Sequence, residues 1–128
     1  MRPVGYTRLV SDSDGGSSFE ACEVALTQGF AVPPAQPLHM APFMSESSSL
    51  VWMGAPADWK GTETHPAPQR MVFITVSGEY EVTTSDGSVQ RFSAGSVLLI
   101  EDTQGRGHST QIIGPDDAVV LAVMLPAS

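Results

Sequence analysis

Three histidines, His39, His65 and His108, are the side chains of this chain best suited to exchanging a proton near neutral pH, because an unperturbed imidazole titrates there. His39 sits in QPLHMAPF, just after a proline-rich stretch, and reads as a surface or interface residue. Cys22 has no basic neighbour in sequence and reads as an inert thiol; a single cysteine also allows no internal disulfide. No G-x-S-x-G elbow occurs, so a serine hydrolase would lack its nucleophile. Gly105 and Gly107 mark a backbone that needs positive φ or close approach. Their loop precedes a strand and has no lysine-serine pair, so it does not read as a phosphate cradle. Glu101 and Asp102 end an apolar run just before that loop. Capping the loop's amides is their ordinary role, and a carboxylate at a pocket mouth is the other.

The elements that must position these residues come from one small domain. The chain has 128 residues, with apolar residues at 41% and charged residues at 16%, which supplies a core without a disorder signature. Fourteen carboxylates against six Lys and Arg give a formal charge of −8. That balance argues against nucleic acid and against an anionic membrane face, both of which are recognised by cationic contacts. No apolar run approaches the roughly 18 residues that span a bilayer, and the N-terminus lacks a signal-peptide core. A cytoplasmic protein is the expectation.

Twelve glycines and ten prolines punctuate short apolar runs, a pattern of many strands and no long helix. Val4 to Val10 reads as a strand, and residues 11–18 as a turn. FEACEVAL alternates with period 2, with Cys22, Val24 and Leu26 on one face, although a short helix competes there. Residues 31–37, AVPPAQP, forbid regular structure, and SLVWMG reads as a strand ending at Gly54. MVFITV, EYEVTT, SVQRF, SVLLIED, HSTQII and AVVLAVML follow as strands. Asp86-Gly87 between the second and third of these is a tight hairpin turn. The fold class is all-β, a sandwich or barrel.

VSGEYEV, SDG, RFSAGSVLLIED and GRGH together resemble the core of a small single-domain cupin, a double-stranded β-helix or jelly-roll barrel, over about residues 59 to 125. The resemblance implies that residues 59–128 form the barrel. Residues 1–58 then supply extra strands and loops that pack on it or at a homodimer interface. In cupins three histidines and a glutamate point inward and hold one divalent metal. With Gly78 as the closing glycine of the first motif, the histidine positions fall on His65 and Ala67 and the glutamate position on Met71. In the second motif Gly95 takes the opening glycine and His108 the histidine, while Ile112 replaces the asparagine. Two of the four ligands are therefore present, His65 and His108.

If His65 points inward, Glu63, Ala67, Gln69, Met71 and Phe73 share its parity, and His108, Thr110 and Ile112 share a face on a later strand. Three readings follow. The histidines could bind one Zn, Fe, Ni or Mn ion with Glu63 completing the set. They could do metal-free acid/base chemistry, with His65, His108 and Glu63 as the catalytic groups. Or they could be satisfied polar groups in a barrel that binds without turnover. Trp52, Gln69, Met71, Phe73 and Glu101 are the candidate pocket residues, with core packing the alternative for the large apolar ones. The resemblance implies a small-molecule enzyme doing non-redox chemistry: isomerisation, cyclisation, dehydration or elimination. A non-catalytic ligand-binding barrel and a metal-dependent dioxygenase are the alternatives.

Overall fold

The computed structural model describes residues 3–30, 37–41 and 49–127. These form twelve strands and, among the described residues, no helix. The strands are β1 (Val4–Ser11), β2 (Ser17–Val24), β3 (Thr27–Phe30), β4 (Leu38–Met40), β5 (Ser49–Ala55), β6 (Lys60–His65), β7 (Met71–Ser77), β8 (Glu79–Thr84), β9 (Val89–Phe92), β10 (Val97–Glu101), β11 (His108–Ile113) and β12 (Ala118–Met124). A six-stranded sheet runs β2-β1-β10-β7-β12-β5, a four-stranded sheet runs β6-β11-β8-β9, and β3-β4 stand as a separate pair.

The pairing is nested. β8 pairs with β9, β7 with β10, β6 with β11 and β5 with β12, every pair antiparallel. A long hairpin folded double in this way, its arms passing alternately between two sheets, is a jelly roll. The N-terminal hairpin β1-β2 extends the larger sheet through a parallel pairing of β1 with β10. FEACEVAL thus forms a strand through Val24 rather than a helix. The proline-rich stretch at 31–36 lies outside the described residues.

Local chemistry fixes the turns. Gly87 has φ of 86° in the β8-β9 hairpin, and the Asp86 carboxylate accepts from the Thr84 hydroxyl and the Ser88 amide. Those bonds hold the exposed Asp86 carboxyl below its ordinary value. Gly78 does a different job. It carries the chain from one sheet to the other at φ of 74°, and a Cβ there would overlap the Asp117 carbonyl. Leu9, Met71, Tyr80, Val82, Phe92, Leu98, Ile100 and Val120 form the core between the sheets. Val72, Leu99 and Leu125 form a second cluster on the outer face of the larger sheet. No described helix is long and apolar enough to cross a membrane.

Candidate functional site

A cavity of about 390 Å³ lies between the sheets, within the usual size range of small-molecule pockets. Its floor is apolar: Met71, Phe73, Ile100, Ala118 and Val120 from the larger sheet face Tyr80 and Ile112 from the smaller. Exposed Met53, Pro56, Trp59 and His65 rim it, which places the mouth where edge strands β5 and β6 part. Tyr80 stacks on Phe92 with ring centroids 5.2 Å apart and meets Phe73 edge-on at 6.3 Å. Burial pushes its phenol far above the ordinary value, with Thr75 opposing weakly, and its buried oxygen makes no well-formed hydrogen bond.

His65 and His108 meet at this cavity, their ring centroids 5.5 Å apart. They are cross-strand partners in the β6-β11 ladder. His108 is buried, and its Nδ1 lies 2.5 Å from Oδ2 of Asp102, a carboxylate with no solvent exposure. His65 Nδ1 lies 3.0 Å from the Pro66 carbonyl. A carboxylate and a carbonyl can only accept, so each Nδ1 carries the proton, and in each neutral ring Nε2 is left with the free lone pair. The other Asp102 oxygen is buried without a partner. The Asp102 carbonyl accepts from the Ala67 amide, so one residue anchors both the chain after His65 and the ring of His108. The glycine loop makes this possible. Gly107, at φ of 72°, lies so close to the His65 and Pro66 backbone that a Cβ would overlap the His65 carbonyl.

Among the residues singled out from sequence, the structure brings His65, His108, Met71 and Phe73 together on the cavity wall. Thr110 and Ile112 share the wall with His108, as the parity of β11 requires. Glu63, Trp52, Gln69 and Glu101 are not among the lining residues. Between His108 and Thr110 the ladder advances two residues on β11 but four on β6, from His65 to Gly61. That bulge carries Glu63 out to solvent and breaks the parity that linked it to His65. Gln69 lies exposed in the bend after Pro66 and Pro68. Trp52 pairs with Leu121, so it occupies the outer face of the sheet, whereas its neighbour Met53 pairs with Val120 and faces inward. Glu101 likewise lies on the outer face, bonded to Arg8 at 2.6 Å and Arg70 at 2.8 Å. Asp102 does not cap the glycine loop's amides; its side chain holds His108 instead. Sequence reading missed that role because the pair spans a loop of unusual conformation, and it also missed Tyr80 as a wall residue; Trp59, which the sequence offered as either a pocket or a core residue, lines the wall.

The donor set does not fit the metal that the family resemblance implies. Of the four ligand positions, Ala67 and Met71 supply none, and Glu63 points away. Among the described residues no group of three or more His, Cys, Asp or Glu side chains is placed to share an ion.

No protein-family profile matches the chain, and no curated protein does. Among solved structures it is similar to the cupin domain of Cnp3 from Schizosaccharomyces pombe, at 17% identity and a TM-score of 0.48, over 97% of this chain and 84% of that one. It is also similar to a protein described as ethanolamine utilization protein Q from Salmonella typhimurium. That match has 16% identity and a TM-score of 0.45, over 100% of this chain and 98% of the other. The fold is an all-β jelly roll. At these identities the likeness concerns architecture alone, and the jelly roll itself rests on the nested strand pairing above.

Proposed function

We propose that the barrel is a small-molecule site in which the Asp102–His108 pair transfers a proton, so that the chemistry is a non-redox isomerisation, cyclisation or elimination. The observation that carries this reading is the fully buried Asp102 carboxylate held against Nδ1 of a histidine whose ring lines an apolar cavity. Such a carboxylate fixes the tautomer and stabilises the imidazolium that forms when Nε2 takes a proton. In the simplest step, Nε2 of His108 removes a proton from a carbon beside a ligand carbonyl. The C–H electron pair becomes the carbon–carbon π bond of an enolate, and the imidazolium returns the proton to a different atom. No electrons enter or leave. His65, the second ring at the mouth, is positioned to donate to the enolate oxygen when protonated.

The reaction can be sought without knowing the natural substrate, by following deuterium exchange of 2-tetralone in D2O by proton NMR. The wild-type protein is expected to accelerate exchange at the carbons flanking the carbonyl. His108→Gln removes about 10²-fold or more of that acceleration, the usual worth of a positioned base. Asp102→Asn lowers it at least about tenfold and alters the pH profile, because an amide cannot stabilise the imidazolium. Circular dichroism checks that both variants fold. No acceleration over buffer, or acceleration that survives His108→Gln, would overturn the proton-transfer reading and leave a barrel that binds without turnover.

A further inference from the structure

We infer that the cavity selects uncharged, largely apolar ligands and excludes anionic ones. This inference rests on the barrel being the ligand site, as proposed above. Five of the chain's six Lys and Arg residues are described, and none lines the cavity. Arg8 and Arg70 are bonded to Glu101 on the outer face, and Arg91 pairs with Glu79 and Glu81. Arg106 lies beside Gly15 and Gly16, and Lys60 is exposed at the start of β6. Among the described residues, the ionisable groups at or behind the wall besides the Tyr80 phenol are His65, His108 and Asp102. They sum to −1 with both rings neutral and to zero with one ring protonated, so the pair behind the wall attracts no anion, and His65 at the mouth does so only while protonated.

A carboxylate or phosphate entering this cavity while His65 is neutral would lose its water and gain no cation from the described residues. The chain's formal charge of −8 adds a long-range penalty of the same sign. A cationic ligand meets the Asp102 charge only across the His108 ring. Among the described residues no carboxylate lines the wall: Asp102 stands behind the His108 ring and Glu63 is exposed. An uncharged molecule instead finds apolar walls, the faces of Trp59 and Phe73, and the imidazoles as polar contacts. Packed at the density of a protein interior, a cavity of about 390 Å³ admits on the order of twenty non-hydrogen atoms.

Three naphthalenes of closely similar shape test the inference: 2-acetylnaphthalene, 2-naphthoate and 2-naphthylmethylammonium, titrated calorimetrically into the wild-type protein at neutral pH. The ketone is expected to bind at least about a hundredfold more tightly than either ion, which must desolvate its charge to enter. Thr110→Lys, which places an ammonium on the wall, should raise the affinity for naphthoate and lower that for the ketone. Equal or tighter binding of naphthoate to the wild type overturns the inference, as does a folded Thr110→Lys variant that gains nothing for naphthoate. Failure of all three to bind overturns it together with the barrel as a ligand site. If the ketone binds with the expected preference but its acetyl methyl hydrogens do not exchange in D2O, the selection by charge stands and the proton-transfer reading falls.

Discussion

Glu101 and Asp102 are adjacent in sequence, and the period of the strand sends them to opposite faces of one sheet. Their surroundings differ accordingly. Burial pushes the Glu101 carboxyl up, but hydrogen bonds from Arg8 and Arg70 together outweigh it and hold the group below its ordinary value of 4.5. Both of its oxygens are matched by guanidinium donors, Arg8 on one and Arg70 on the other. Asp102 has one imidazole and one oxygen without a partner. The first is an arrangement that stabilises the fold; the second is a buried carboxylate that stability alone does not explain. A carboxyl with a lowered pKa stabilises the folded state above the unfolded-state value, and that stabilisation disappears as pH falls through the folded value. Wild-type protein should therefore melt above Glu101→Gln at neutral pH. The gap should narrow as pH drops below about 4.5, the ordinary carboxyl value. Thermal melts across that range check it, and a gap that stays constant into acid would show that the ion cluster is not its source.

At the scale of elements, the site depends on how β6 and the glycine loop are laid against each other. Gly107 has positive φ, and its carbonyl accepts from the buried Ser17 hydroxyl, which ties the loop to the start of β2. Gly107→Ala adds both strain and an overlap with the His65 backbone. It should cost more than about 2 kcal/mol in urea unfolding, and it should disturb the His65 and His108 ring resonances before any other histidine signal. A substitution without cost would mean that the contact between loop and β6 is loose. Strands whose signal is local were legible in sequence: β7, β10 and β12 are apolar runs, and Asp86-Gly87 marks its own hairpin. β6 was not, because KGTETH has no apolar alternation and owes its strand to pairing with β11, far along the chain. Parity placed His108, Thr110 and Ile112 on one wall because β11 runs unbroken along β8. The same argument failed for Glu63 and Gln69, where a bulge and two prolines reset the alternation. The Asp102–His108 contact closes across the glycine loop between β10 and β11, a geometry that no periodicity encodes.

At the scale of the whole molecule, the two large sheets end in four edge strands: β2, β5, β6 and β9. Three of them carry charge that discourages pairing with another chain: Glu20 and Glu23 on β2, Lys60 and Glu63 on β6, Arg91 on β9. β5, SLVWMGA, carries none, and Leu50 and Trp52 are 64% and 70% exposed on its outer face. Leu121 lies beside Trp52 in the register, and Ile74 lies beyond it, so the apolar surface continues from the edge across the sheet. The formally charged residues on this outer face, Arg8 and Arg70 against Glu20 and Glu101, cancel. Two copies of a chain with charge −8 can therefore approach here without setting like charges against each other. Six strands at about 4.8 Å spacing, each about 24 Å long at about 3.4 Å per residue, give a face of roughly 700 Å², close to the approximately 800 Å² per partner that a stable dimer buries. The homodimer expected from sequence should thus form through β5, with the N-terminal hairpin β1-β2 at the far edge of the sheet left free. Light scattering at micromolar concentration should give twice the chain mass, and Leu50→Glu with Trp52→Glu should halve it while leaving the melting temperature of the barrel nearly unchanged. A dimer that survives both substitutions would move the interface elsewhere, and a wild-type monomer would assign the apolar face to a different chain.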